Sequence, residues 1–140
     1  MKLYSYDTYI KVRYKETDQM GIVHHSNYYP WFEEGRTDFL ASLGRSYGQM
    51  EKSGLLLPLL ESHCVYKKPA YYEDKLIIRT RLEDIRGVRI TFAYQVLKLL
   101  DNDLIAEGYT RHAFVNKEMK PINAKKVDSE LYELLIHCLE

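Results

Sequence analysis

Asn27-Tyr28-Tyr29-Pro30-Trp31-Phe32-Glu33-Glu34-Gly35-Arg36-Thr37-Asp38-Phe39-Leu40-Ala41-Ser42-Leu43-Gly44 is the stretch from which the rest of the chain is read. Tyr28, Trp31, Phe32, Gly35, Phe39, Leu40 and Leu43 recur at helical spacing, which predicts a helix over 28–43. Asn27 is a good N-cap, Pro30 is tolerated in the first turn, and Gly44 is a suitable terminator. Glu33, Glu34, Arg36 and Asp38 fill the remaining surface, with Glu33 and Arg36 spaced to pair across one turn. Gly35 sits mid-helix, where it costs stability unless a neighbouring backbone comes close. The apolar arc is wide, so this helix needs cover on most sides.

The cover is read as sheet. Residues 6–16 are expected to form a strand with Ile10, Val12 and Tyr14 on one side and Lys11 and Arg13 on the other. After a short helical turn near 47–52 come four further strands, at 56–67, 75–85, 88–98 and 104–116, expected in meander order. Arg86-Gly87 and Asp101-Asn102-Asp103 read as turns between them. Asn123 can cap a last helix carrying Val127, Leu131, Leu134, Leu135 and Cys138 on one face. One long helix followed by a run of strands indicates an α+β domain in which an antiparallel sheet wraps around the helix.

The 140 residues suit a single domain over 1–140, and 46% hydrophobic content suffices for one core. No apolar run is long enough to span a membrane, and the N-terminus lacks a signal-peptide pattern, so a soluble cytoplasmic protein is expected. Zero net charge disfavours nucleic acid as a partner. Cys64 and Cys138 lack metal or redox spacing and read as reduced thiols. The histidines form no HxxxH or HExxH pattern, so no metal is expected. GxSxG, GxGxxG and Walker sequences are absent, and no cofactor is implied. Thirteen tyrosines suit half-buried faces, pocket walls and subunit interfaces.

Immediately before the helix runs Tyr14-Lys15-Glu16-Thr17-Asp18-Gln19-Met20-Gly21-Ile22-Val23-His24-His25-Ser26-Asn27. A carboxylate, a glycine turn, an imidazole and a helix start with unpaired N–H groups fall within one loop. The plain alternatives are that Asp18 caps the turn before Gly21 and that His25 packs at the helix entry.

Thr17-Asp18-x-x-Gly21-x-Val23-x-His25-x-x-Tyr28 with Glu33-Glu34-x-Arg36 resembles the signature of hotdog-fold acyl-CoA thioesterases, in particular the 4-hydroxybenzoyl-CoA thioesterase-like group and its YbgC-like branch. Tyr66-x-x-Pro69-Ala70-x-x-x-Asp74-x-Leu76 and Ala113-Phe114-Val115-Asn116 also fit, so the resemblance covers about residues 7–125. Glu73 stands where a glycine often precedes the aspartate, which alters a turn.

The resemblance implies a curved antiparallel sheet around one long helix, with hydrolysis of acyl-CoA to a carboxylic acid and coenzyme A. It implies Asp18 as general base or nucleophile, and the His25 backbone N–H as oxyanion donor, with the His25 side chain assisting. His24, being adjacent, faces away. Asn27 and Tyr28 are secondary substrate-contact candidates. Lys67, Lys68 and Arg89 are candidates for the coenzyme A phosphates, although such charges usually serve a solvated sheet edge. A homodimer or homotetramer with shared active sites follows from the same resemblance, and an acyl carrier protein is a further possible partner. Two rivals stand beside it: a non-catalytic acyl-binding or scaffold protein on the same fold, and a hotdog hydratase, whose histidine and acidic motifs are not found here.

Overall fold

In the computed structural model, which describes residues 4–139, the helix read from the aromatic spacing is α1, Tyr28–Ser42. Residues 1–3 and 140, the outer ends of the single domain expected over 1–140, lie outside the described residues. Tyr28, Trp31, Phe32, Gly35, Phe39 and Leu40 are the buried positions of α1. They pack on one antiparallel sheet of β1 (Ser5–Lys11), β2 (Leu59–Tyr66), β3 (Lys75–Arg86), β4 (Arg89–Lys98) and β5 (Leu104–Ala113). Phe32 stacks on Tyr94 of β4 with ring centroids 4.4 Å apart, and Phe39 meets Phe92 edge-on at 5.8 Å. Burying each such side chain contributes roughly 1.5–3 kcal/mol. The architecture is thus the α+β arrangement expected, a sheet built against one long helix.

The strand order is β1-β3-β4-β5-β2, so the expectation of four strands in simple meander is corrected. Only β3, β4 and β5 follow one another; β2 crosses to the far edge and pairs with β5. The periodicity of β2 could not reveal this, because nearly every residue of the strand is exposed and neither face is marked apolar. From Tyr66 the chain returns along 67–74 to the β1 side, held by Lys67 N–H and Lys68 N–H to Ile105 O and by Glu73 N–H to Val12 O.

Four local expectations are also corrected. β1 ends at Lys11, and Tyr14 lies in a 3₁₀ turn, Tyr14–Glu16, and is 76% exposed. Gly35 accommodates side chains rather than backbone: a Cβ there would lie 2.5 Å from Thr80 Oγ1 and 3.0 Å from Ile78 Cγ2. The last helix is two pieces, α3 (Ala124–Val127) and α4 (Ser129–Cys138), because Asp128 interrupts it and caps the second piece through Leu131 N–H. Finally, Arg36 does not pair with Glu33.

Arg36 turns inward, donating to the hydroxyl of Tyr47 in α2 (Tyr47–Lys52) and standing 3.1 Å from His112 Nε2. His112 donates through Nδ1 to Leu57 O, which leaves Nε2 as the acceptor for Arg36. Burial, and then the Arg36 charge, depress the His112 imidazole to about 4. Asn102 and Gly87 adopt positive φ in the two turns read from sequence, and Glu73, at φ 71°, occupies the glycine-like position noted above. Both cysteines are free. Among the described residues no helix is long and apolar enough to cross a membrane.

Candidate active site

The loop between β1 and α1 is fixed at both ends by Glu16. Glu16 is 4% exposed, and its carboxylate accepts from Arg13 N–H at 2.7 Å, from the Arg13 guanidinium at 3.3 Å and from Trp31 Nε1–H at 3.1 Å. Its backbone oxygen accepts from His24 N–H at 2.9 Å and from the Asn27 side-chain amide at 2.9 Å. Burial pushes the Glu16 carboxyl upward, but the hydrogen bonds from Arg13 and Trp31 and the Arg13 charge outweigh it, and the net shift is downward. The sequence reading passed over Glu16. Its signal was a carboxylate just before a turn and 15 residues ahead of the chain's one tryptophan.

Between these anchors the loop doubles back. Asp18 N–H donates to Ile22 O and Gly21 N–H to Asp18 O, both at 2.9 Å, and Gly21 supplies the positive φ of 81° that the turn requires. Asp18 Oδ1 accepts from Met20 N–H at 2.8 Å, so the residue does build its turn. That contact leaves Oδ2 without a hydrogen bond among the described residues. Val23 N–H to Ala70 O ties the loop to the returning 67–74 segment.

That segment forms the opposite wall of a cleft of about 520 Å³. Asp18, His25, Tyr28, Lys67 and Lys68 all line it, together with Met20, Ile22, Val23, Tyr66 and Pro69. Tyr28 is buried, and its ring meets Tyr66 edge-on at 5.1 Å. Burial, and then the neighbouring Cys64, push the Tyr28 hydroxyl up to about 12, so it remains protonated at neutral pH. The exposed His25 ring stacks on His24 at 4.2 Å and faces Tyr66 at 6.5 Å. Tyr66 was legible only as part of the second motif.

Other candidates stand differently. Asn27 does not cap α1: its backbone is already helical, and its amide donates backward to Glu16 O and His24 O. The helix is instead entered through a 3₁₀ turn, His25–Asn27, which His24 caps by accepting from Ser26 N–H. The His25 backbone N–H, at the head of that turn, makes no hydrogen bond among the described residues. Lys67 and Lys68 are ion-paired to Glu107 and Asp103. Arg89 begins β4 opposite Ala113, at the end of the strand away from Leu104, and is not part of the cleft.

Comparison with known proteins agrees with the fold. The model of the thioesterase-like superfamily matches residues 12–135. YneP of Bacillus subtilis, named as a proposed acyl-CoA thioesterase, is 41% identical over 118 residues, covering 84% of this chain and 85% of that protein. The acyl-CoA thioester hydrolase YbgC of Escherichia coli is 26% identical over 113 residues, covering 80% and 84%. The crystal structure of the DHNA-CoA thioesterase of Staphylococcus aureus superimposes with a TM-score of 0.87 at 32% identity, covering 93% of this chain and 87% of that one. With the family model spanning the Asp18 loop, α1 and the four strands β2 to β5, the chain belongs to the thioesterase-like superfamily of hotdog-fold proteins.

Proposed function

We propose that this protein hydrolyses acyl-CoA thioesters to a free carboxylic acid and coenzyme A, with Asp18 as the group that activates the attack. The observation that carries this reading is the cleft that gathers Asp18, His25 and Tyr28 beside the start of α1. Met20 N–H orients one carboxylate oxygen of Asp18. The other can take a proton from water as the water oxygen bonds to the thioester carbon. Alternatively it attacks that carbon directly and forms a mixed anhydride, which water then cleaves.

Either route places negative charge on the carbonyl oxygen. The His25 N–H and the positive end of α1 are suited to receive it. Collapse of the tetrahedral species breaks the C–S bond, and the coenzyme A thiolate leaves and takes up a proton. The His25 ring lines the same cleft and can assist this chemistry, and Tyr28 forms the wall against the acyl group.

A second copy of the chain is the natural cover for β2. Leu59, Leu60, Val65 and Tyr66 are 55%, 52%, 38% and 46% exposed along an unpaired sheet edge, and Tyr66 also lines the cleft. The active unit we propose is therefore a dimer, with the partner closing the open side of the site.

A panel of short, long and aromatic acyl-CoAs, with an acyl-carrier-protein thioester alongside, tests the reading. Asp18→Asn should lower kcat/KM by roughly 10²–10⁴-fold on the preferred substrate. Turnover of every thioester no faster than by Asp18→Asn would favour the scaffold reading.

A further inference from the structure

The backbone N–H groups of His25, Ser26, Asn27 and Tyr28 open the entry to α1, and all but the first are taken. Ser26 N–H donates to Nδ1 of His24 at 3.1 Å, Asn27 N–H donates to His24 O at 3.0 Å, and Tyr28 N–H donates to His25 O. The His25 N–H is the spare donor of the entry among the described residues. Such a donor stabilises charge well only if its direction is set before the charge develops, because turning a peptide during the reaction costs part of what the donor contributes. The peptide that carries it joins His24 to His25 at the head of a 3₁₀ turn, a place where backbone ordinarily frays.

Asn27 holds that peptide. Its half-buried side chain places Nδ2 2.9 Å from Glu16 O and 3.1 Å from His24 O. Both partners are carbonyl oxygens, so only the amide N–H groups serve them, and both are spent there. With Asn27 N–H added, His24 O accepts twice from one residue. In a planar trans peptide the C=O and the next N–H point in opposite directions. Drawing His24 O toward Asn27 therefore turns the His25 N–H out of the head of the turn. The other end of the grip is anchored: Glu16 O also accepts from His24 N–H at 2.9 Å, and Trp31 and Arg13 hold the Glu16 carboxylate. The two plainer roles for Asn27 do not fit. A cap turns its side chain forward onto the N–H of the first helical turn, whereas this one reaches back, and Asn27 is absent from the residues that line the Asp18 cleft.

We propose that Asn27 is a positioning residue for hydrolysis: by gripping the His24 carbonyl, it aims the His25 N–H at the oxygen of the thioester carbonyl. This rests on the thioesterase reading for the identity of the reaction. Asn27 itself touches neither the substrate nor the reacting atoms. Its side chain acts through one peptide plane, and its bond to Glu16 O ties the two ends of the Asp18 loop together.

Asn27→Ala and Asn27→Asp test it on the full chain, with kcat and KM for the preferred acyl-CoA measured where circular dichroism shows each variant folded. Alanine removes the grip. Aspartate keeps the shape but sets a carboxylate against two carbonyl oxygens, so it should disturb the peptide more. The expected result is a kcat lower by roughly tenfold in Asn27→Ala and by roughly 10²-fold in Asn27→Asp, with KM nearly unchanged. As a cap, aspartate would serve as well as asparagine and better than alanine, so the opposite order of the two variants marks a cap. A rise in KM at constant kcat marks a substrate contact. The order parameter of the His25 N–H, from ¹⁵N relaxation, reads the grip without turnover: it should be near ~0.85 in the native chain and lower in both variants. Either rival kinetic pattern, or an order parameter unchanged in Asn27→Asp, would overturn the proposal. If the native chain hydrolyses no acyl-CoA, the proposed function fails, and the order parameter still decides whether Asn27 fixes the His25 N–H.

Discussion

Glu16 is a buried carboxylate whose hydrogen bonds hold the Asp18 loop, and removing its charge leaves Trp31 Nε1–H and Arg13 N–H with a weaker acceptor. Glu16→Gln should cost about 1–3 kcal/mol, read by urea denaturation. The acid limb of stability carries its signature. The folded-state pKa of Glu16 is lowered, so its contribution is fully present above the ordinary carboxylate value and is lost as pH falls through the folded value. His112 acts over a higher window. Its folded value is depressed to about 4, so below its ordinary value near ~6.5 the unfolded chain takes up a proton that the native state refuses. Stability should therefore fall from about pH 6.5 toward 4 by up to ~1.4 kcal/mol per pH unit from this group. Equilibrium unfolding of the native protein and of Glu16→Gln across pH 3–8 checks both: the variant should lose the lower part of the slope and keep the upper.

Between α1 and β3 the decisive contact is Gly35 against Thr80. The Thr80 hydroxyl is buried without a hydrogen-bond partner, and a Cβ at position 35 would stand 2.5 Å from it. Gly35→Ala should therefore push the helix off the strand and cost roughly 1–3 kcal/mol despite the better helix propensity of alanine. In a Thr80→Ala background the same change should cost clearly less, because the clashing oxygen is gone, and a double-mutant cycle by thermal or urea unfolding measures the difference. An additive cycle would show that the contact does not set the spacing. The helix itself was legible because seven residues from Tyr28 to Leu43 keep one period. β3 and β4 were legible from alternation, with Ile78, Leu82, Phe92 and Tyr94 all buried. The place of β2 was not, because an edge strand exposed on both faces carries no facing signal. In the site, Asp18, His25 and Tyr28 were legible as a local motif, and the structure gathers them in one cleft. The inward turn of Arg36 and the backward reach of Asn27 were not legible, since each depends on partners distant in sequence, at His112 and Glu16.

At the scale of the whole molecule, the two edges of the sheet are not equivalent. β1 lies at one edge and β2 at the other. β2 combines open backbone groups with exposed Leu59, Leu60 and Val65, and it ends at Tyr66 beside the cleft. An apolar edge left uncovered invites pairing, and a strand of an identical copy can continue the sheet without new side-chain chemistry. Such pairing would bring a second subunit against the Tyr66 end of β2 and hence against the wall of the cleft that holds His25 and Tyr28. Charges placed on the strand should oppose it without entering the core, because both chosen positions face solvent within one chain. Leu60→Glu with Val65→Glu is therefore expected to convert a dimer into a monomer in sedimentation velocity, with far-ultraviolet circular dichroism unchanged. If the partner completes the site, kcat/KM on the preferred acyl-CoA should drop with the dimer population and recover as protein concentration is raised. A native chain that sediments as a monomer at micromolar concentration would defeat the shared-site argument. A monomeric variant with full activity would show instead that each Asp18 cleft works within its own subunit.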